Sequence, residues 1–503
     1  MISLFLSGLA AILTIKTILL MMFGVILGLI FGAIPGLSAA MAVALMLPAT
    51  FAMDTVQGMA VLISLYVGGI SGGLISAILL RIPGTPSSIA TCFDGYPMTK
   101  KGMAGKAIGT GVIVSFIGGI FSLIVLMVAA PPLASIAIKF GPFEYFSLTL
   151  FALTIIATLS SGSFIMGILS GAIGIIVTFV GMAPVDGVDR FTMGIYQLKG
   201  GFSLLPVLIG LFALTEILKE AEQSVKIKMI DTSNLKGKGF GLTLKEIKEQ
   251  WANLLRSSII GTVIGILPGI GGSTASVLSY GEAKRASKHP EKFGTGIIDG
   301  VIASETANNA VTGGALVPLL TLGIPGDSVT AILLGGLMIH GVQPGPLLFK
   351  ESPDIVYGIF AALFVANIMF VIFEYFGIHL FIKVLKVPKH ILLPIVFILC
   401  CVGAFAVNNR MFDVWTLIGF GIVGFILDKC RIQMAPLVIG FILGPMAEIN
   451  LRRALMLSQG SVSPFFTKPI SLFFIIAAVL SVASIVRRTL KDKKRAKESV
   501  TTA

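Results

Sequence analysis

Charge is what this chain has least of. Asp, Glu, Lys and Arg together make up only 12% of its 503 residues, against 55% hydrophobic residues. A soluble domain usually carries about 25% charged residues on its surface, so the soluble class is excluded. Histidine and cysteine are scarce, four of each. His289, His340, His379 and His390 are scattered without ligand spacing. Cys92, Cys400, Cys401 and Cys430 form no CxxC or Cys/His pattern, which excludes the usual zinc and redox motifs and leaves bland buried thiols. A Walker A sequence is missing, so ATP is not the energy source in this chain. No nucleophile–base or metal constellation marks an enzyme. The apolar start, Met1–Thr14, lacks a basic n-region, and no convincing cleavage site precedes the run from Thr17 to Ile34; no removable signal peptide is expected.

What is abundant is apolar sequence. Gly105–Ala130, Phe164–Met182, Tyr357–Leu380 and Ile391–Val407 all match the roughly 20 residues that cross a hydrocarbon core. The net charge of +13 falls mainly in short loops and the tail, where it determines topology rather than marking a nucleic-acid surface. The expected fold is all-α: a multi-pass membrane protein in a lipid bilayer with about 11–12 transmembrane helices.

Glycine is also abundant, and the dipeptide Pro-Gly returns inside apolar sequence at 35–36, 83–84, 268–269 and 325–326. Gly28-x3-Gly32-x2-Pro35-Gly36 matches Gly261-x3-Gly265-x2-Pro268-Gly269. Gly72-x-Leu74 with Ile82-Pro83-Gly84 matches Gly314-x-Leu316 with Ile324-Pro325-Gly326, and Pro206-x3-Gly210 matches Pro436-x3-Gly440. Three ordered matches at an offset of roughly 230–240 residues indicate duplication. A shared Phe-Glu-Tyr-Phe at 143–146 and 373–376 conflicts with this pairing and is set aside.

Basic residues decide the handedness of the repeat. After the first Pro-Gly element, Ala49–Gly58 carries only Asp54, whereas Gly281–Gly294 carries Lys284, Arg285, Lys288 and Lys292. After the second, the bias flips: Lys100, Lys101 and Lys106 face a single Lys350 beside Glu351 and Asp354. Equivalent loops then lie on opposite sides, which is an inverted repeat. Residues 1–218 form the first repeat, 219–250 a cytoplasmic linker, 251–465 the second repeat, and 466–503 a final transmembrane helix with a basic cytoplasmic tail. The stretches 15–50 and 255–280 read as re-entrant hairpins. Loops 100–106, 219–248, 281–294 and 383–389 should share the cytoplasmic face, and 51–56 and 350–354 the other; Arg452 and Arg453 are the exception.

Irregular backbone persists in a bilayer only where protein or a water-filled cavity satisfies it. Broken helices expose N–H groups that suit anions and carbonyls that suit cations. The candidate substrate-binding residues are accordingly Pro35, Gly36, Ser38, Gly84, Thr85, Ser87, Ser88, Gly269, Gly271, Ser273, Gly326, Asp327 and Ser328. The polar run Ser304–Thr312 leads into a membrane segment, and Glu305, Thr306, Asn308, Asn309 and Thr312 offer hard oxygens for Na⁺. Interhelical hydrogen bonding by Asn and Thr is the bland alternative. Arg81, before the second tip, reads as a snorkelling side chain, with a grip on a substrate carboxylate as the alternative. Gly28-x3-Gly32 and Gly261-x3-Gly265 read as close helix-packing motifs.

Gly32-Ala-Ile-Pro-Gly-Leu-Ser38, Ile82-Pro-Gly-Thr-Pro-Ser-Ser88, Ile266-Leu-Pro-Gly-Ile-Gly-Gly272, Ser304-Glu-Thr-Ala-Asn-Asn309 and Gly323-Ile-Pro-Gly-Asp-Ser328 together resemble the large membrane subunit of the tripartite tricarboxylate transporters, from about residue 17 to 460. The resemblance implies import of citrate-like or other organic carboxylates across a bacterial inner membrane, driven by Na⁺ or H⁺ as coupling ion and without a cofactor. It implies two partners, a periplasmic solute-binding protein and a small membrane subunit of about four helices. A passive anion channel or a structural scaffold is the competing expectation.

Overall fold

In the computed structural model, residues 2–159, 164–222, 241–385, 387–483 and 487 are described. Most of the basic central loop and tail, with Lys386, lies outside these residues. Two compact units emerge, each drawn from both halves of the chain: Met1–Ile138 with Leu204–Phe425, and Lys139–Ser203 with Ile426–Ala503.

The first unit opens with α1 (Ile2–Ile12), then α2 (Ile15–Ala33) and α3 (Ala39–Thr50) around the first Pro-Gly, then α4 (Thr55–Leu80), the second Pro-Gly, α5 (Thr91–Lys100) and α6 (Ala104–Ala137). In the second unit α7 (Pro142–Leu159) and α8 (Phe164–Thr178) follow. The chain then returns through α9 (Leu204–Leu208), a π-helical turn (Ile209–Leu214) and α10 (Thr215–Glu222). The second half repeats the order. After α11 (Leu244–Glu249) come α12 (Trp251–Ile266) and α13 (Gly271–Ala286) around the third Pro-Gly, α14 (Ile298–Leu322), the fourth Pro-Gly and α15 (Ser328–Ile339). Then follow α16 (Leu348–Glu351), α17 (Pro353–Val384), α18 (Lys389–Asn408), α19 (Met411–Lys429), α20 (Met434–Leu457), α21 (Ser463–Thr467) and α22 (Pro469–Ala483).

The expectation of an all-α, multi-pass membrane protein holds. Among the described residues, seven helices are long and apolar enough to cross a membrane, by length and composition. The number is below the expected span count because several apolar helices, α7, α8, α15 and α22 among them, are short and α14 is too polar, while α2, a limb of the first hairpin, is counted. α3 has 12 residues and, at 1.5 Å per residue, is about 18 Å long, too short for a hydrocarbon core of about 30 Å. α14 has 25 residues and is buried along nearly its whole length, yet its polar run keeps it out of the apolar set.

Small residues set both hairpins. Gly24, Gly28 and Gly32 of α2 face the backbones of Val61, Leu65 and Gly69 in turn, so α2 runs parallel to α4. At Gly69 the chain reverses: Ala39 packs there, and Thr50 ends beside Gly58, so α3 runs back along α4. In the second half, Gly261 and Gly265 of α12 face Ala307 and Val311 in the same sense. α13 returns, with Gly272 at Asn308 and Tyr280 at Gly300. Both are re-entrant hairpins that turn halfway along a long helix. A Cβ at any of Gly28, Gly32, Gly261 or Gly265 would collide with the facing backbone, so the small-residue spacing is a packing device, as expected.

The two halves run in opposite directions. Along α4 and α5, Tyr66 bonds Asp327, Ser71 bonds Asn309, Thr91 bonds Ser304 and Asp94 bonds Ile297. The partners move backward as the first half moves forward. At one end Val56 packs on Gly358 and Gly58 on His340. At the other, Gly296 packs on Pro97 and Met98, and Lys106 pairs with Glu246 of α11 at 2.7 Å. That ion pair, with bonds from Thr243, pulls the Glu246 carboxyl down to about 2. Residues 97–106, 243–246 and 294–297 thus share one end of the first unit, and 56–58, His340 and Gly358 lie at the other.

Asp94 was not singled out by its sequence context. It is fully buried, and its carboxylate accepts from Gly294 N, Gly296 N, Ile297 N and the Tyr280 hydroxyl, at 2.7–3.0 Å. It ties α5 of one half to the loop before α14 of the other. In the second unit, α20 packs its Gly440 against Gly171 of α8. Arg452, the exception to the charge pattern, pairs with Asp186 and Glu448, and Arg190 also holds Glu448.

Candidate functional site

The Pro-Gly breaks differ in how their polar groups are used. The first, Ile34–Ser38, needs Gly36 at φ +92, a region open to glycine and strained for other residues. Ser38 Oγ accepts from Met41 N at 3.1 Å and caps α3, so this hydroxyl is spent on its own helix. At the second, Gly84 N donates to Gly73 O at 3.3 Å, and Gly84 lies so close to the Gly32 carbonyl that no side chain fits. The hydroxyls of Thr85 and Ser87 are 2.9 Å apart and those of Thr85 and Ser88 3.4 Å, all three residues buried. Gly73 is the smallest residue that leaves room for them.

The third and fourth breaks join. Gly269 N donates to Gly326 O at 2.8 Å, and Gly326 sits on the Gly265 carbonyl as Gly84 sits on that of Gly32. Asp327 caps α15: its Oδ1 accepts from Thr330 N and Oγ1 at 2.8 and 2.7 Å. Its Oδ2 accepts from the Tyr66 hydroxyl at 2.7 Å. The carboxylate is thereby engaged by three donors, two of them local.

The second, third and fourth tips converge at Gly271–Gly272. A Cβ on Gly272 would come within 2.8 Å of Asn308 Oδ1 and 2.9 Å of Ser87 Cβ; one on Gly271 would lie 3.7 Å from Asp327 Cβ. Residues more than two hundred positions apart thus meet, as the repeat implied, but through the third tip. Ser273 and Ser328 are half-buried beside this junction in sequence. The first tip meets the second on another side: Pro35 and Gly36 line a cavity of about 220 Å³ with Gly84 and Thr85, together with Glu216, Glu220 and Lys389.

The polar run occupies the second to fourth turns of α14, not the threshold of a membrane segment, because α14 begins at Ile298. Helical periodicity puts residues 305, 308, 309 and 312 on one face and turns Thr306 away, against Gly118 of α6. Glu305 accepts from the Thr91 hydroxyl and lies 3.5 Å from Asn308 Nδ2. Asn309 is fully used: Oδ1 accepts from Ser71 Oγ at 2.7 Å, while Nδ2 donates to Ser115 Oγ at 2.7 Å and Glu305 O at 3.1 Å. It joins α4, α6 and α14. Thr312 donates to Asn309 O at 2.7 Å. Among the described residues, Asn308 Oδ1 is buried without a hydrogen-bond partner and faces the tip junction. That is a desolvated oxygen with nothing to satisfy it, which such sites rarely tolerate. Glu374 on α17 is also fully buried, and among the described residues neither of its oxygens has a hydrogen-bond partner.

Tyr66, Ser71, Thr91 and Ser115 also take part, and no motif in the sequence marks them. Arg81 is exposed and adopts φ +60 as the C-cap of α4, where α14 has Gly323 at φ +71.

Two antiparallel halves, each with a re-entrant hairpin and a broken helix whose tips carry buried polar groups, define the membrane component of a transporter. A family model described as the tripartite tricarboxylate transporter TctA family matches residues 18–439, and the chain belongs to that family. It is a membrane component of a tripartite system, in a transporter family rather than an enzyme family, and so works with partner subunits. It is 36% identical over 475 residues, 94% of this chain and 93% of the relative, to an Agrobacterium vitis protein described as an uncharacterised 52.8 kDa protein in the TAR-I ttuC' 3' region. A second Agrobacterium vitis protein, described as an uncharacterised protein in the TAR-II ttuC' 3' region, is 37% identical over 234 residues, 46% of this chain and 97% of the relative. No solved structure matches.

Proposed function

We propose that this chain is the permease that imports an organic di- or tricarboxylate across the bacterial inner membrane by alternating access, coupled to a Na⁺ or H⁺ gradient. A periplasmic solute-binding protein delivers the substrate, and a small four-helix subunit completes the membrane part. The end carrying 97–106, 241–250 and 287–297 faces the cytoplasm, as does the C-terminus.

The observation that carries this reading is the junction at Gly271–Gly272, where tips from two antiparallel halves meet beside the unpartnered Asn308 Oδ1. The hydroxyls of Thr85, Ser87 and Ser88 and the backbone amides of the tips supply donors for a carboxylate. Asn308 Oδ1 and Glu305 supply oxygens for the coupling ion. A bound cation lessens the penalty of bringing an anion into a low-dielectric cavity. Coupling follows when the loaded pair crosses more readily than either ion alone.

The test is concentrative uptake in proteoliposomes holding both membrane subunits and supplied with the binding protein. Accumulation against a gradient, driven by imposed Na⁺ or pH differences, is expected. Substrate that equilibrates but never accumulates would mean a channel. Buried Glu374, whose oxygens have no hydrogen-bond partner among the described residues, is the residue that would serve a proton branch. Uptake that follows pH, ignores Na⁺ and is uncoupled by Glu374→Gln would select that branch.

A further inference from the structure

The first tip differs from the other three in what covers it. The carboxyl of Glu220, on α10, lies directly over Gly36: a Cβ there would land on the carboxyl group itself. The same carboxylate is paired with Lys389, the first residue of α18. The two side chains are 11% and 25% exposed. Beside them lies the cavity of about 220 Å³ that the first and second tips line together.

This pair is not part of a helix cap. Ser38 already caps α3, and Glu216, which also lines the cavity, pairs with Lys219 on its own helix at 3.3 Å. A carboxylate and an ammonium withdrawn from water repay their desolvation only while they hold one another or an equivalent partner. Glu220 is therefore a carboxylate seated on a glycine tip with a cation behind it. The proposed substrate presents the same chemical group.

We propose that Glu220 is a built-in competitor, whose carboxylate holds the position at Gly36 and Lys389 that one carboxylate of the substrate takes when the transporter loads. The proposal rests on the carboxylate reading above and adds a binding residue to it, Lys389, with organic carboxylates as its ligand class. Exchange of one carboxylate for another conserves the charge of the site, so Lys389 is never left bare. It also ties occupancy to movement of α10 away from the first hairpin.

Two single substitutions separate this role from that of a structural staple. A staple loses its hold whichever partner is neutralised, so both changes act in the same direction. A competitor and its counter-ion act in opposite directions. The full chain, purified in detergent, is titrated with citrate and with succinate. Glu220→Gln is expected to tighten binding about tenfold and Lys389→Gln to weaken it about tenfold. In parallel, a thiol at Leu37→Cys reports on the tip. Glu220→Gln should speed its alkylation several-fold. Shifts of the same sign, or no shift in either variant, overturn the proposal. Should neither acid bind any of the three proteins, the proposal is overturned, because no carboxylate then competes with Glu220 for the position. Failure of the transport reading looks different: wild-type proteoliposomes never accumulate a carboxylate, while the opposite signs in binding remain.

Discussion

The hairpin of α2 and α3 and that of α12 and α13 share a plan. In both, a glycine-spaced limb descends along a long helix, turns at Pro-Gly halfway down, and returns. Their tips nevertheless have different neighbours. The first ends in a serine that caps its own helix and is covered by the Glu220–Lys389 pair. The second has glycines at 271 and 272 and opens toward Ser87, Asn308 and Asp327. Backbone packing has been kept by both copies, since any Cβ at the crossing glycines collides with the facing helix. The side chains around the tips were free to diverge. Duplication gave the scaffold twice and the polar junction once, and the functional asymmetry lies in what the neighbouring helices present.

The largest effect tests the junction directly. Gly272→Val pushes a branched side chain into Ser87 and Asn308, and should reduce uptake at least about a hundredfold while monodisperse protein is retained. Gly281→Val, on the same helix with open space around it, should transport normally. Equal loss in both would mean that α13 tolerates no valine and that the junction is not special.

Next comes the tie between the halves. Asp94→Ala leaves three backbone N–H groups and a tyrosine hydroxyl without their acceptor, and should destabilise the protein by about 3–5 kcal/mol. Asp54→Ala removes only the exposed cap of α4, a bond of 2.9 Å to Gln57 N, and should cost about 1 kcal/mol. Thermal unfolding in detergent compares them. Matching losses would show that the inter-half tie is not what holds the loop at 294–297.

The third prediction separates two neighbouring asparagines. With Na⁺ as the coupling ion, Asn308→Ala should raise the Na⁺ concentration for half-maximal uptake about tenfold, with little change in substrate affinity at saturating Na⁺. Asn309→Ala should instead lower stability, because both ends of that amide bridge helices. Identical kinetic profiles would remove the distinction between ligand and packing residue.

The smallest effect concerns the ends of the two long helices. α4 closes with Arg81 in the left-handed region where α14 uses Gly323. Arg81→Gly relieves backbone strain but loosens the unfolded chain, for a net gain of about 0.5 kcal/mol. Uptake should be unchanged if the exposed guanidinium only snorkels. A tenfold loss of substrate affinity would instead give Arg81 a place at the second tip.

The sequence by itself determined the class, the repeat and its inversion. Those follow from one-dimensional quantities: apolar length against bilayer thickness, recurring Gly and Pro positions, and the distribution of Lys and Arg. It also marked the four tips, because only Pro and Gly allow a helix to break inside an apolar medium. What it did not determine is which oxygens are left over. Asn308 and Asn309 are adjacent and alike in sequence, yet one is satisfied by Ser71 and Ser115 while the other keeps a bare carbonyl. Thr306 belonged to the same polar run until the helical turn sent it toward α6. Asp327 looked like a substrate group and proved to be engaged by its own helix cap and by Tyr66. Asp94, Glu220 and Lys389 carried no motif at all. Hydrogen bonds and ion pairs between helices depend on which faces meet across a hundred or more residues of chain. Only the tertiary packing of α4, α6, α10, α14 and α18 fixed that.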